Sequence, residues 1–328
     1  MKIKNEEFKA LQSKGFFTDA QATITPNNVG LPAGLLSALS TQIVENVLAV
    51  RTGEEALGGK AKLIDWAEQE YLLPFVEKTG QTQPYGDYAQ PLVSSMNTSF
   101  NRQGHYRFSA KYLYGNLEAE QYAKARLDYP SIVLSSVMEA LRVEENRTAF
   151  EGYIDNTSGQ FLCYGLLNNP QLPSYETVLA KDFATMTWEE VLAFFGGAIS
   201  SLTTNTGNNI NGQSKIRVVI SASAYANLVV KHTSLGISLI DTISKTYPNM
   251  YFVPAIEFDG AYQSENVIYF IGESPIGGVA DTTILGYSEF AKMGNVILGD
   301  NSLSQSVSAG TIGAVVYKPF MVLRYYGA

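Results

Sequence analysis

Residues 131–170, SIVLSSVMEALRVEENRTAFEGYIDNTSGQFLCYGLLNNP, join a long helical pattern to a short strand and a Gly-Leu-Leu-Asn-Asn-Pro turn. Apolar side chains recur there every three or four residues, which is typical of one face of an amphipathic α-helix. They are Leu134, Val137, Met138, Leu141, Ala149 and Tyr153. Pro130 is a residue type favoured in the first turn of a helix, and Gly152 is a residue type favoured just after the end of one. We therefore predict a helix of about twenty residues, roughly 30 Å long.

The same helix carries a charged cluster, Glu144-Glu-Asn-Arg147. Two adjacent acids near an arginine could be read as acid–base machinery, but a charge run on a helix usually forms a solvated or interfacial face. We interpret Glu144, Glu145 and Arg147 as a surface for contacts with neighbouring chains.

The composition favours a protein with buried subunit contacts. The chain has 328 residues, 16% of them charged, and 20 tyrosines. A typical soluble domain has about 25% charged residues, and interfaces are poor in charge and rich in tyrosine. A single large core would also lower the charged fraction. The net charge of −8 argues against a surface built to hold nucleic-acid phosphates.

The sequence contains no recognisable catalytic, cofactor or metal site. Cys163 is the single cysteine, so we expect a buried free thiol and no intrachain disulfide. His105 and His232 lack companions at metal-ligand spacing. Neither a phosphate-binding glycine loop nor a G-x-S-x-G nucleophile elbow is present. The N-terminal residues lack the apolar core of a signal peptide, and no apolar run is long enough to span a membrane.

A strand with strict alternation precedes the long helix. Between His105 and Tyr114 the aromatic stripe, Tyr106, Phe108, Tyr112 and Tyr114, shares one face with Ala110. We predict that this strand pairs with residues 92–102 through a Gln103-Gly104 turn, which makes 58–115 a projecting β-hairpin. Such a hairpin is marginal alone and should lie against another subunit. A base-stacking platform is disfavoured because only two cations alternate with the aromatic residues.

The remaining segments predict an N-terminal arm, an α/β segment and two closing strands. Short helices are expected near Phe8 and over 35–48. In 187–300, helices alternate with strands after a capping box at Thr187 and Glu190, which predicts a small α/β domain with its own sheet. Strands over 311–317 and 320–326 should return beside the long helix.

Several of these blocks, in this order, resemble the major capsid proteins of tailed bacteriophages with the Hong Kong 97 fold. The blocks are the aromatic hairpin, the long helix with Glu145, Asn146 and Gly152, the turn 165–170, and the C-terminal runs 313–319 and 323–328. The resemblance implies an α+β fold. Its parts would be an N-arm (1–57), an extended E-loop hairpin (58–115), a peripheral domain with a long spine helix (116–186 and 305–328) and an axial α/β domain (187–304).

The resemblance also implies the function. Copies of the chain would form hexamers and pentamers, with axial domains around each capsomer axis and each E-loop across a neighbour, and would close an icosahedral shell around double-stranded DNA. The chain would be a non-enzymatic virion protein, assembled in the host cytoplasm, with no cofactor, no membrane contact and no sequence-specific DNA binding. Expected partners are other copies and separate scaffolding, portal or decoration proteins. The expected assembly interface is Tyr106, Phe108, Tyr112, Tyr114, Glu144, Glu145 and Arg147.

Two departures from the family pattern and two alternatives remain open at this point. Only about 57 residues precede the E-loop, so we expect a separate scaffolding protein or none. No motif identifies the lysine and asparagine that some relatives cross-link.

An encapsulin-like compartment shell that encloses protein cargo shares the fold. A more remote alternative is an enzyme with an α/β domain at 187–304, although its polar groups form no recognisable constellation.

Overall fold

Helices and strands alternate along the described part of the chain. The computed structural model describes residues 50–80, 82–85, 87, 95–124, 129–177, 182–234, 236–273 and 281–327. The helices are α1 (Gly53–Leu57), α2 (Asn116–Lys124), α3 (Tyr129–Glu151), α4 (Trp188–Asn205), α5 (Ala222–Val230) and α6 (Leu239–Thr246). The predicted arm helices near Phe8 and over 35–48 lie outside these residues.

The strands form two main sheets and two short hairpins. In chain order they are β1 (Lys60–Lys62), β2 (Glu70–Thr79), β3 (Ser95–Gly104), β4 (Tyr106–Gly115), β5 (Tyr153–Ile154), β6 (Phe161–Cys163), β7 (Glu176–Thr177), β8 (Lys215–Ser221), β9 (Met250–Ala255), β10 (Val267–Glu273), β11 (Thr283–Tyr287), β12 (Lys292–Met293), β13 (Ile297–Leu298), β14 (Ser302–Val316) and β15 (Val322–Tyr326). The hairpins are β2–β3 and β5–β6.

The predicted long helix is confirmed as α3, whose 23 residues span about 35 Å at 1.5 Å per residue. Its apolar face, centred on Val137 and Leu141, packs against Val307 and Ala309 of β14. The helix ends at Gly152, which has a φ of +69°. Glycine adopts this left-handed conformation at no steric cost, so the chain can turn sharply into β5.

β14 is the central strand of the first sheet, which we call the main sheet. It pairs with β11, β12, β13 and β4, and β1 extends the sheet beyond β11. The β4–β14 pairing is antiparallel and runs from Ser302 opposite Gly115 to Thr311 opposite Tyr106. This register places the aromatic stripe of β4 on the side of the sheet that packs against α3.

The predicted hairpin pairing is wrong. β3 pairs with β2, from Glu70 opposite Gly104 to Thr79 opposite Ser95, whereas β4 joins the main sheet. Gln103 and Gly104 are the end of a strand and not a turn. The Gln103 side chain is buried and donates from Nε2 to the Ala314 carbonyl at 3.0 Å. Alternation of side chains reveals a strand but not its partner, which explains the error.

The second sheet has the order β7-β15-β10-β8-β9, and we call it the α/β sheet. β8 and β9 are parallel and are connected through α5 and α6, while β10 is antiparallel to β8. Residues 267–272 of β10 are all buried, as expected for a strand covered on both faces. The predicted capping box at Thr187 and Glu190 is confirmed at the start of α4.

The two faces of the α/β sheet have different neighbours. On one face, Phe194 and Phe195 of α4 pack edge-on against Phe270, with ring centroids 5.9 and 5.5 Å apart. On the other, Tyr269 belongs to a buried cluster that contains Phe150 of α3. The sheet also extends beyond 187–300, to which the sequence pattern confined it, because β15 pairs with β10. The second closing strand is therefore a strand of the α/β sheet.

Three glycines allow backbones to meet at the end of α3. Leu166 and Leu167 donate N–H groups to the carbonyls of Ala149 and Phe150, each at 2.9 Å. A Cβ on Gly165 would lie 2.2 Å from the Phe150 carbonyl oxygen. Gly313 of β14 has a φ of +74°, and a Cβ there would lie 2.4 Å from the Tyr164 carbonyl oxygen. We call Gly152, Gly165 and Gly313 the glycine junction.

The buried Arg217 forms an ion pair within the α/β sheet and a hydrogen bond to the main sheet. Arg217 of β8 is 1% exposed and contacts the Glu273 carboxylate at 3.2 Å. Its guanidinium also donates to Thr283 Oγ1 of β11 at 3.1 Å. The Tyr251 hydroxyl donates to Glu273 at 2.8 Å. Burial lowers the pKa of Arg217, with the Tyr251 and Glu273 charges opposing that shift. Buried charges need such partners to be tolerated.

We predict that Leu141→Ala lowers the free energy of unfolding by about 2–5 kcal/mol, because it leaves a cavity where α3 packs on the main sheet. Leu141 is 2% exposed. Chemical denaturation of the isolated subunit measures the change. Val143→Ala is the matched control on the same helix, since Val143 is 47% exposed and its loss should cost less than about 0.5 kcal/mol. Equal effects of the two changes would contradict the packing described here.

A second prediction concerns the glycine junction. Gly165→Ala should lower the free energy of unfolding by about 1–3 kcal/mol or more, because the added methyl group forces two backbones apart. Gly197→Ala is the control: Gly197 lies in α4, and a Cβ there has no neighbour within 4 Å. This control should stabilise the subunit by about 0.5–1 kcal/mol. Denaturant unfolding should therefore give changes in the free energy of unfolding of opposite sign for the two variants. An unchanged stability of Gly165→Ala would refute the close approach of the two backbones.

Candidate assembly surfaces

Tyr106, Phe108 and Tyr112 of the predicted interface lie between β4 and α3, and Tyr114 continues their stripe along β4. The Tyr106 ring stacks on Tyr153 with centroids 3.8 Å apart, and its hydroxyl donates to Glu144 Oε1 at 3.0 Å. Phe108 and Tyr112 pack against the cluster around Leu141. Burial raises the pKa of Tyr106, and the hydrogen bond to the Glu144 carboxylate raises it further. These aromatic groups are half-buried through contacts within the chain.

Tyr112 also has polar and aromatic partners close to the end of the strand. Its hydroxyl donates to Gln305 Oε1 across the β4–β14 pair. The Tyr112 and Tyr114 rings are almost parallel, with centroids 6.3 Å apart. Both rings lie over the same face of the main sheet, and the stripe is therefore continuous from Tyr106 to Tyr114.

The three charged residues of the predicted interface form two separate ion pairs. Glu144 pairs with Arg147 at 2.6 Å, and this hydrogen bond raises the pKa of the arginine. Glu145 pairs with Lys60 at 2.6 Å, and both of these side chains are mostly buried. The Lys60 ammonium also lies 4.8 Å from the ring centroids of Tyr287 and Phe290. Glu145 thus ties β1 to α3, and Arg147 is the most exposed of the three, with half of its side chain accessible.

The seven residues are therefore brought together along one helix–strand contact inside the chain. Their part in contacts between subunits stays a prediction. The alternation in the sequence correctly predicted which side chains of β4 share one face. It could not reveal that α3 of the same chain packs on that face.

A first exposed apolar surface lies on the β2–β3 hairpin. Leu72, Val76, Met96 and Phe100, which we call the hairpin patch, are 49%, 53%, 67% and 64% exposed. Pairing places Pro74 opposite Phe100 and Lys78 opposite Met96, so all four patch residues share one face. The opposite face is anchored, because Tyr71 and Leu73 pack against the buried Ile312 and Val315 of β14.

A second exposed apolar surface lies at the other end of β14. We call it the sheet-end patch, and its members are Leu113, Leu117, Met293, Val296, Ile297 and Leu298, with exposures from 51% to 78%. Ile297 lies opposite Ser304, which lies opposite Leu113, so these side chains share one face of the main sheet. Leu298 lies opposite Leu303 and Met293 opposite Val307, so these two lie on the other face, that of the aromatic stripe. Between Ser304 and Val315 the strand covers about 36 Å at 3.3 Å per residue. The hairpin patch is attached at the Val315 end.

Sequence reasoning missed the sheet-end patch. Its residues come from β4, α2, β12, β13 and the loop before β13, and each alone resembles an ordinary scattered apolar residue. The signal that the sequence offered was the run of three apolar residues Val296-Ile-Leu298 between Gly294 and Gly299. Neighbouring exposed apolar residues on one face, such as Leu113 and Ile297, are typical of interaction sites in soluble proteins.

The polar clusters of the described residues do not form a recognisable reaction centre. A cavity of about 360 Å³ is lined by charged residues, and two of its three cations are paired: Arg51 with Glu139, and Lys60 with Glu145. The described residues contain no group of three His, Cys, Asp or Glu side chains that could hold a metal ion. Cys163 is fully buried, and burial raises the pKa of its thiol to about 12.

Membrane insertion by a helix is also unsupported. Among the helices of the described residues, none combines the length and the apolar content that crossing a bilayer requires.

The comparison with known families identifies the chain. The sequence model of the Pa193 gp26 major capsid protein matches residues 22–327. The chain belongs to this major capsid protein family. The match includes all the helices and strands described above, and the resemblance to bacteriophage capsid proteins of the Hong Kong 97 fold is confirmed. No curated protein gives a significant sequence match.

Solved structures share the fold of this capsid protein at low sequence identity. The capsid of Myoviridae phage XM1 is 12% identical and superposes with a TM-score of 0.72, covering 90% of this chain and 98% of that one. A chain of Gordonia phage Cozz is 13% identical, with a TM-score of 0.57 and coverages of 88% and 90%. The virus-like particle from Pyrococcus furiosus is 10% identical, with a TM-score of 0.52 and coverages of 80% and 89%.

We predict that Tyr106→Phe destabilises the capsid protein subunit by about 0.5–1.5 kcal/mol, because the half-buried Glu144 loses a hydrogen-bond donor. Arg147 still binds Glu144 and limits the loss. Tyr85→Phe is the control, since Tyr85 is 94% exposed and its hydroxyl should not matter to stability. Thermal or denaturant unfolding of both variants measures the difference. An unchanged Tyr106→Phe variant would show that this hydrogen bond makes no net contribution.

Proposed function

We propose that this major capsid protein assembles as hexamers and pentamers into an icosahedral shell that encloses phage DNA. Its capsid family supports a homo-oligomeric role in the virion. The observation that carries the proposal is the pair of exposed apolar patches near opposite ends of β14. Patches of this kind are unfavourable in water and are covered in an assembly.

The positions of the two patches favour a head-to-tail contact. One chain cannot bring the hairpin patch onto its own sheet-end patch, because β14 is rigidly paired between them. Packing of one copy's hairpin patch on another copy's sheet-end patch is a heterologous contact, and such contacts generate closed rings when the rotation closes. Hexamers and pentamers are rings of this type.

The domain roles follow from this assembly. Residues 1–57 would be the N-arm and 58–115 the E-loop, whose projecting part is the β2–β3 hairpin. Residues 116–186 and 305–328 would form the peripheral domain around the spine helix α3, and 187–304 the axial domain. The seven predicted interface residues would support this arrangement by fixing α3 on the main sheet beneath the surface offered to a neighbour.

The shell would hold DNA without reading its sequence. The net charge of −8 opposes tight binding through many phosphate contacts. In this proposal the protein is a non-enzymatic component of the virion that assembles in the host cytoplasm. Separate scaffolding, portal or decoration proteins would complete the particle.

We predict that Phe100→Glu abolishes shells while the subunit remains folded, because it places a charge in the apolar contact between copies. Ser99→Glu is the matched control: Ser99 is the adjacent residue, is exposed and points to the opposite face of the hairpin. Negative-stain microscopy and analytical ultracentrifugation measure assembly, and circular dichroism measures folding. Normal shells from Phe100→Glu would contradict a role for the hairpin patch.

Mixing two defective variants tests the head-to-tail arrangement itself. Leu113→Glu should block the sheet-end patch as Phe100→Glu blocks the hairpin patch. A mixture then contains one intact hairpin patch and one intact sheet-end patch on different chains. Head-to-tail contact predicts mixed dimers that cannot extend into rings. Absence of mixed dimers, with each variant folded, would reject the pairing of these two patches.

A compartment shell with protein cargo is the second candidate, because the fold is shared with the Pyrococcus furiosus particle. The phage capsid family and the higher TM-score of the phage XM1 capsid favour the phage shell. The contents of particles from the native source distinguish the two. Nuclease-protected DNA supports the phage shell, while a single co-purifying protein inside DNA-free particles would support the compartment.

A further inference from the structure

His105 occupies the joint between the hairpin and the main sheet. It is the one residue between β3, which belongs to the hairpin, and β4, which belongs to the main sheet. Its backbone N–H donates to the Gln69 carbonyl at 2.8 Å, so it also contacts the chain that enters the hairpin. The side chain is 4% exposed. Any change at this residue acts where the hairpin meets the body of the subunit.

The hydrogen bonds of the His105 ring define its neutral form. Nδ1 lies 2.8 Å from the Glu68 carbonyl oxygen, and Nε2 lies 2.8 Å from Ser288 Oγ. A carbonyl only accepts, so Nδ1 carries the hydrogen. Nε2 is then an acceptor, and the Ser288 hydroxyl donates to it. The neutral ring thus connects Glu68, before the hairpin, with Ser288, beside the main sheet.

The surroundings leave no room to solvate a charged ring. Ser288 is fully buried. A Cβ on Gly310 would lie 2.3 Å from Ser288 Oγ and 2.4 Å from His105 Nε2, so β14 closes the site from that side. Trp66 covers another side, with its ring perpendicular to the imidazole at a centroid distance of 6.0 Å. A proton on Nε2 would force the Ser288 hydroxyl to turn its hydrogen away from the ring and accept from Nε2 instead.

Charged groups around the site add to this effect. Arg107 lies over the Trp66 ring at 5.8 Å, and Lys292 lies over the same ring at 4.8 Å. Glu289 is 3.7 Å from the Lys292 ammonium. The Glu68 carboxylate accepts from the Asp65 N–H at 2.9 Å. The cations beside Trp66 disfavour a third positive charge, whereas the Glu68 carboxylate favours it by a smaller amount than Arg107 opposes it.

We propose that His105 is a pH-dependent latch that holds the base of the hairpin to the main sheet when neutral and loosens it when protonated. The latch is a property of the subunit and does not require that shells form. It would make the direction of the hairpin patch, and with it the readiness of a subunit to contact a neighbour, depend on the acidity of the medium.

The sign of the pH dependence follows from the environment of the ring. Burial is the largest cause and lowers the pKa of His105 below its ordinary value of 6.5. The hydrogen bond to the Glu68 carbonyl opposes this shift, the charge of Arg107 adds to it, and the charge of Glu68 opposes it. A loosened hairpin frees the ring to take up a proton at its ordinary pKa. The latch is therefore fully effective above pH 6.5 and weakens as the pH falls from 6.5 through the folded pKa.

Hydrogen–deuterium exchange of the full-length chain tests the latch. Between about pH 7.5 and about pH 5.5, corrected for intrinsic exchange, peptides from β2 and β3 should lose protection by up to about tenfold per unit of pKa shift. Peptides from β8 and β10 should not respond. Equal protection of β2 and β3 at both pH values would overturn the proposal.

The two histidines of the chain provide a matched pair of variants. His105→Gln removes the titrating ring and should abolish the pH response of the hairpin. His232→Gln should keep it, because His232 is exposed at the end of α5. A response that persists in His105→Gln, or that disappears in His232→Gln, would refute the latch. If His105→Gln fails to fold, an NMR titration of the wild-type protein decides between the outcomes. Hairpin amide signals that shift with pH over a range in which the His105 ring signals do not would overturn the proposal.

Discussion

The close approach of three backbones at the glycine junction is the constraint on which the fold depends. At this point the end of α3, the strand β6 with the turn that follows it, and the central strand β14 exchange main-chain hydrogen bonds without intervening side chains. Any Cβ at Gly165 would separate them. Because α3 and β14 also pack along their length through Leu141 and Val307, the junction fixes their relative position at one end and the apolar contact fixes it along the rest.

The remaining parts are attached to this unit by few but specific contacts. The α/β sheet shares the Phe150–Tyr269 cluster with α3 and is tied to β11 through Arg217 and Thr283. The hairpin is attached at its base by Tyr71, Leu73 and the Gln103 side chain. A rigid centre with a hairpin attached only at its base suits a subunit that must meet neighbours at different angles. The proposed shell of hexamers and pentamers would require such a subunit.

The sequence predicted elements well and partners poorly, and the reason is physical. Helical periodicity and the two glycines 152 and 165 predicted α3 and its exit, and the capping box at Thr187 predicted the start of α4. These are local features. The pairing of β3 with β2 and the placing of β15 in the α/β sheet depend on contacts between distant residues, which alternation cannot specify. The sheet-end patch was missed for the same reason, because five separate elements build it.

The exposed hairpin carries a hazard before assembly. Within the described residues, β2 and β3 pair only with each other, so their outer edges present free backbone groups beside an apolar face. Unprotected edges of this kind add strands from other molecules and start aggregation. Pro74 removes one backbone donor from β2, and Glu77, Lys78 and Arg102 place charges along the two strands. Proline and charged residues in such positions are the features that oppose edge-to-edge aggregation of exposed strands.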